Sequence, residues 1–244
     1  MKTVEAFWNA VEKNLHLHRA IFFSRVPKNN TNTIDVEVVQ DEIFHFKRLQ
    51  LESLSKFINN YTSFYLPYIN HLIEEIERYS FFQYPSVNST FHEHLLSITT
   101  NYQLLSKINL ESHTLNVVYE TAKMSRELPS QIKSINIILA LLHDFGKCNE
   151  IKKDLKEKKE KHWKISAEYA SRTMMHFDIP LPIRLKIVQI LTYHHDSPLN
   201  NFSDEAKNIQ KIKNDDLFLH LCHADSSARE NEIHAITKDV YYEE

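Results

Sequence analysis

Residues 130–147 read SQIKSINIILALLHDFGK, and this stretch decides the fold. Ile135, Ile137, Ile138, Leu139, Ala140, Leu141 and Leu142 leave no polar side on a helical wheel, the pattern of a helix buried all round. The run ends in His143-Asp144. A carboxylate at a helix C-terminus faces the unfavourable end of the macrodipole, and if buried it also carries a desolvation cost. Two readings fit the local string: an ordinary Asp-x-Gly turn with a surface histidine, or a His-Asp pair whose costs a divalent metal would offset.

Gly146 follows at once and is the only glycine in 244 residues, where average composition predicts on the order of 17. Its position fits a helix C-terminal cap in the left-handed backbone region, where glycine has no side-chain penalty. The turn would leave Lys147 pointing back over the site. Elsewhere, turns must be made by Asn, Asp, Ser and Pro.

Working outward, apolar residues recur with helical spacing over 112–126, 130–144, 162–176, 182–195 and 215–230, and each stretch carries a histidine or aspartate on or beside its apolar face. In the first, Leu115, Val118 and Ala122 form the stripe, with His113 starting it one turn before Val117. Alone, His113 also reads as a satisfied core histidine. His162 opens the third helix, where Ser166, Ala167 and Ala170 permit close packing. Ile187, Ile190 and Leu191 form the stripe that His194 continues, with His195 beside it. In the last, Leu217, Leu221, Ala224 and Ala228 define the inward face. Asp225 lies beside it, either as a ligand or as the ion-pair partner of Arg229 four residues on. His220 and His223 flank this stripe and read as structural or exposed.

Imidazole and carboxylate oxygen suit Fe, Mn, Co or Zn better than Ca, and the absence of thiolate argues against a structural zinc site. His113, His143, Asp144 and Asp225 together make an N2O2 set.

Ahead of this region, Phe7, Val11, Leu15, His18 and Phe22 read as one amphipathic helix. Ile69, Leu72, Ile73 and Ile76 read as another that opens near Pro67. Ile34, Val36 and Val38 alternate with polar residues and predict a short extended segment; 81–90, with Pro85, reads as a connector, and 91–107 as a helix. The expected class is all-α, with a mainly helical region over 1–108 and a second domain over 109–244.

Bulk properties exclude several classes. A formal charge of −3 gives no global electrostatic case for nucleic-acid binding. The lysine-rich run after Ile151 has acids interspersed and no aromatic before Trp163, so it reads as a solvated face. No run approaches the roughly 18 apolar residues of a membrane span, and the opening MKTVEAFWNAVEKNLHLH is not signal-like. Cys148 and Cys222 form no metal motif or disulfide framework, which predicts a reducing, cytoplasmic setting.

The order His, His-Asp, His, His and Asp on successive helices resembles the HD-domain superfamily of metal-dependent phosphohydrolases. SHTLNVV is similar to its first-histidine helix, LLHDFGK to its HD-x-GK motif, and HLCHADSSAR to its last helix. KHWKISAEYA followed by LTYHHD is closest to the symmetrical dinucleoside tetraphosphatases and to HD domains of CCA-adding enzymes. No nucleotidyltransferase domain precedes it in this sequence, which speaks against the latter, and the GYP motif of cyclic-dinucleotide phosphodiesterases is missing. The resemblance implies an all-α HD bundle holding one or two divalent ions, with His113, His143, Asp144 and Asp225 as ligands. It implies His162 and His194, with His195, as ligands of a second metal or as phosphate contacts, and Lys147 as the partner of phosphate charge. The expected activity is hydrolysis of a phosphoester or phosphoanhydride in a nucleotide-like substrate, with Asp144, Lys147, His162 and His194 as its catalytic residues. The rival readings are a non-catalytic metal- and nucleotide-binding module and a diiron oxygenase. No membrane is indicated, and the sequence leaves the oligomeric state open.

Overall fold

The computed structural model describes residues 51–87, 105–156, 160–195 and 210–240. The helix expected over 7–22, the extended segment at 34–38 and most of the helix at 91–107 lie outside these residues.

The described chain is helical, and among the described residues no strand is formed; one isolated bridge joins Pro85 to Asn109. Among the described residues, helices α1 (Leu51–Tyr61) and α2 (Leu66–Arg78) come first. Pro67 stands in the opening turn of α2, where its missing N–H leaves no bond unmade, and Ile69, Leu72, Ile73 and Ile76 form the buried face. Helix α3 (Leu110–Met124) is capped by the Asn109 side chain, which accepts the Ser112 N–H at 2.8 Å. Its buried face runs through Leu110, His113, Thr114, Val117, Val118, Thr121 and Ala122. The stripe read from the sequence is thus rotated: Leu115 is only partly buried, and His113 is fully buried on the inward face.

Helix α4 (Ser130–Leu142) is the centre of the bundle, with every residue from Ser134 to Leu142 buried. It touches α2, α3, α6 (His162–Thr173), α7 (Leu181–Tyr193) and α8 (Asp216–Val240). A helix with neighbours on every side needs the all-round apolar sequence seen there. Each of its two buried polar side chains makes a contact, with Asn136 Oδ1 left without a partner among the described residues. The Ser134 hydroxyl donates to the Phe64 carbonyl at 2.8 Å, and Asn136 meets the His220 ring at 3.4 Å. The first contact ties the turn between α1 and α2 to α4, and Leu54, Ile58, Tyr68 and Ile69 share one core with residues of α3 to α8.

The short α5 (Asn149–Asp154) buries Ile151 and turns Lys153 to solvent, as expected of a solvated basic face. The expected faces of α7 and α8 are formed as read: Ile187, Ile190 and Leu191 are buried, and so are Leu217, Leu221, Ala224 and Ala228.

Candidate metal centre

Helix α4 ends at Leu142, and the chain then turns through His143 and Asp144 into a single 3-10 turn, Phe145–Lys147. All of 143–146 is buried. Gly146 does not adopt the left-handed conformation expected of a cap, since no glycine here has positive φ. It is required for a different reason. A Cβ on Gly146 would lie 1.9 Å from the His162 carbonyl oxygen and 2.8 Å from the Ile165 Cβ. The missing side chain lets the start of α6 approach the backbone of the turn directly. Ser166 closes the contact: its hydroxyl accepts the Gly146 N–H at 2.9 Å and donates to the His143 carbonyl at 3.0 Å.

This close approach brings histidines from α3, the α4 turn, α6 and the end of α7 around Asp144. His143 Nε2 lies 3.3 Å from His113 Nε2, and the two stand 3.3 and 3.6 Å from Asp144 Oδ2. His162 Nε2 approaches the other oxygen, Oδ1, at 3.3 Å. Asp225 Oδ1 is 3.1 Å from His113 Nε2 and 3.7 Å from Arg229 Nε, so the ligand and ion-pair readings of that residue coexist. Among the described residues, two groups offer ligand atoms within 4.8 Å of one another: His113 with His143 and Asp144, and Asp144 with His162 and His195. Asp144 is common to both, one oxygen toward each. His194 lies alongside, its ring centre 4.2 Å from that of His195 and 6.2 Å from that of His143. His223 is exposed and His220 meets Asn136, so neither joins the cluster.

The tautomers are set from outside. His113 Nδ1 donates to Glu232 at 3.0 Å, His143 Nδ1 to the Ala140 carbonyl at 2.8 Å, and His194 Nδ1 to the Leu191 carbonyl at 2.8 Å. In the neutral rings, each Nε2 then carries its lone pair inward, the arrangement found around metal-ligating histidines.

The ionisation of the cluster follows from burial and charge. Burial alone would raise the Asp144 carboxyl, but the ammonium of Lys147 at 2.6 Å, together with His143 and His162, holds it well below the ordinary range. Asp225 is likewise held low against its burial by His113 and His143. Burial would lower His143; the charge and hydrogen bond of Asp144, with Asp225, outweigh it and raise the ring above the ordinary histidine value. His194 goes the other way, pushed down to about 3 by burial and then by His195 and His143.

The residues fit a divalent ion. Asp144 Oδ1, His162 Nε2, His194 Nε2 and Asp225 Oδ1 are buried acceptors or ring nitrogens without a hydrogen-bond partner, all at this cluster. Buried polar atoms are ordinarily paired. Carboxylate oxygens and imidazole lone pairs converging at these distances repel one another unless positive charge lies among them.

Sequence reading missed Glu232, whose carboxylate is buried, accepts from His113 and Asn116, and is held low against its burial chiefly by His113. The signal was available: Asp225, Arg229 and Glu232 follow one helical face at spacings of four and three. It also missed Ser86, whose carbonyl accepts from Lys147 at 2.7 Å, and nothing in the local sequence marks that residue.

Compared with known families, residues 110–229 match the model described as HD domain. Comparisons with curated proteins and with solved structures return no match.

Proposed function

We propose that this chain, whose residues 110–229 belong to the HD-domain family, is a metal-dependent phosphohydrolase acting on a phosphoester or phosphoanhydride bond of a nucleotide-like substrate. The family consists mostly of metal-dependent hydrolases. The observation that carries the reading is the pair of ligand groups sharing Asp144, with orphaned acceptors at both. His113, His143, Asp144 and Asp225 are the ligands of one ion. Asp144 and His162, with His195 and the neighbouring His194, are those of a second. Fe, Mn, Co and Zn all suit this donor set. Held by these residues, a divalent ion would supply polarisation of a phosphoryl oxygen and a water made acidic near neutral pH.

The remaining chemistry belongs to the chain itself. Asp144 stays ionised because Lys147 faces it, and its two oxygens reach both groups at once. Lys147 supplies fixed positive charge beside the centre for the oxygens of a phosphoryl group. His194, kept neutral by burial and donating from Nδ1 to the Leu191 carbonyl, can accept a hydrogen bond from a water through Nε2. The division at residue 108 follows the same reading, with the N-terminal region as an addition to the catalytic domain. The free thiols of Cys148 and Cys222 support a cytoplasmic setting. No described helix is long and apolar enough to cross a membrane.

The test is metal analysis of untagged protein, then a screen of nucleotides, dinucleoside polyphosphates and phosphomonoesters with Mn or Fe. We expect turnover that a chelator removes and Asp144→Ala abolishes while the far-UV spectrum stays helical. Undiminished activity in Asp144→Ala would sink the assignment. Saturable nucleotide binding with no turnover would favour the regulatory-module reading. His195→Ala separates one ion from two: it should lower the metal content from two per chain toward one.

A further inference from the structure

Two cations face Asp144, and both are held by one residue from outside the matched HD segment. Ser86 is completely buried in the connector after α2. Its N–H donates to the Ile108 carbonyl at 2.8 Å, and its hydroxyl to the Leu105 carbonyl at 3.1 Å, so its place is fixed by backbone just ahead of α3. Its carbonyl accepts from Lys147 Nζ at 2.7 Å and from Arg229 Nη2 at 3.5 Å, and its hydroxyl accepts from Arg229 Nη1 at 2.9 Å.

Arg229 stands among acids without hydrogen-bonding them. Its nitrogens lie 3.7 Å from Asp144 Oδ2, 3.7 Å from Asp225 Oδ1 and 3.5 Å from Glu232 Oε2. Among the described residues its hydrogen bonds go to Ser86 alone. The directional contacts of this guanidinium are thus to neutral oxygens, with three carboxylates around it at ion-pair distance. Once cationic charge lies among the carboxylates, their pull on Lys147 and Arg229 weakens, and both cations are left to attract an anion. A guanidinium presents a planar fork of donors that matches phosphoryl oxygens, and a lysine a compact charge.

We infer that Ser86 is a positioning residue for anion binding: its carbonyl and hydroxyl aim Lys147 and Arg229 at the phosphoryl oxygens, which makes Arg229 a second cationic contact of the substrate. The inference rests on the phosphohydrolase reading for its substrate class, and it assigns part of the site to the region ahead of the HD segment.

The test measures inorganic phosphate binding to the Mn-loaded full chain by calorimetry, for wild type, Ser86→Ala, Arg229→Ala and the double variant. Losing a hydrogen bond to a charged group should weaken phosphate by about tenfold in either single variant. Ser86→Ala removes only the hydroxyl, which acts through Arg229, and keeps the carbonyl that holds Lys147, so the double variant should bind about as weakly as Arg229→Ala, with metal content unchanged. A merely structural serine would lower the melting temperature and give losses that multiply. Multiplying losses, wild-type affinity in Ser86→Ala, or no phosphate binding by the wild type would each overturn the inference. If Ser86→Ala does not fold, Arg229→Lys replaces it. A lysine cannot make the forked contact with Ser86, so about the same loss as in Arg229→Ala is expected, and wild-type affinity overturns the inference. Phosphate binding that follows this pattern without turnover of any phosphorylated compound would remove the hydrolase reading and leave the anion site standing.

Discussion

Glu232 and His113, 119 positions apart in the chain, meet in the interior with Oε1 3.0 Å from Nδ1. The carboxylate fixes the imidazole tautomer, while Nε2 on the other side of the ring faces Asp144 and Asp225. Replacing Glu232 by Gln keeps the shape and removes the charge. Metal affinity should fall by about 10- to 100-fold, as for other outer partners of ligating histidines. Competition with a fluorescent chelator measures it, and unchanged affinity would show that Glu232 has no such influence.

Gly146 offers a sharp test of why glycine stands there. If a left-handed backbone were the reason, Asn would be tolerated better than Ala. The backbone is not left-handed, and any Cβ meets the His162 carbonyl at 1.9 Å. Both Gly146→Ala and Gly146→Asn should therefore destabilise the protein, by roughly 1–3 kcal/mol, as overpacking does. Because the clash pushes on the start of α6, the group containing His162 should lose its ion first. Thermal melts and metal content check this, and a well-tolerated Asn would contradict it.

Metal uptake should depend on pH through His143. Its ring is raised above the ordinary value by Asp144 and Asp225 despite burial, so near neutral pH the metal-free ring competes for a proton. A metal ligand must be deprotonated, so apparent affinity should rise with pH through that raised value, and binding should release protons. Calorimetry in buffers of different ionisation enthalpy measures the release. Affinity that is flat between pH 6 and 8 would remove His143 from the ligand set.

Lys147 should govern acid stability of the metal-free chain. Asp144 and Glu232 are held below their unfolded values, so their contribution is present above about pH 4 and is lost as pH falls through the folded values. Lys147 is the strongest influence holding Asp144 down. Lys147→Met should therefore move the acid-unfolding midpoint to higher pH, followed by circular dichroism. A midpoint that stays put or moves lower would show that the ion pair with Asp144 does not contribute.

Much of the molecule could be read in the chain itself. The helices of residues 110–240 and their inward faces on α4, α7 and α8 follow from apolar spacing, because burial of a helix face leaves a periodic trace. His113, His143, Asp144, His162, His195 and Asp225 were each legible as polar residues on or beside such faces. The structure rotated the face of α3 away from Leu115, since spacing alone does not say which neighbours a helix will meet.

What the sequence determined by itself is the helical class, the buried α4 and the His-Asp pair at its end, all of which depend on local propensity and periodicity. Tertiary structure alone decided that Asp144 lies in both groups that could hold a metal ion, that Gly146 is needed for closeness rather than for its dihedral angles, and that Glu232 and Ser86 lie against the cluster. Those outcomes depend on distances between segments far apart in the chain, here the approach of α6 to the α4 turn and of α8 to α3. Such distances are set by how the whole core packs, and no local pattern encodes them.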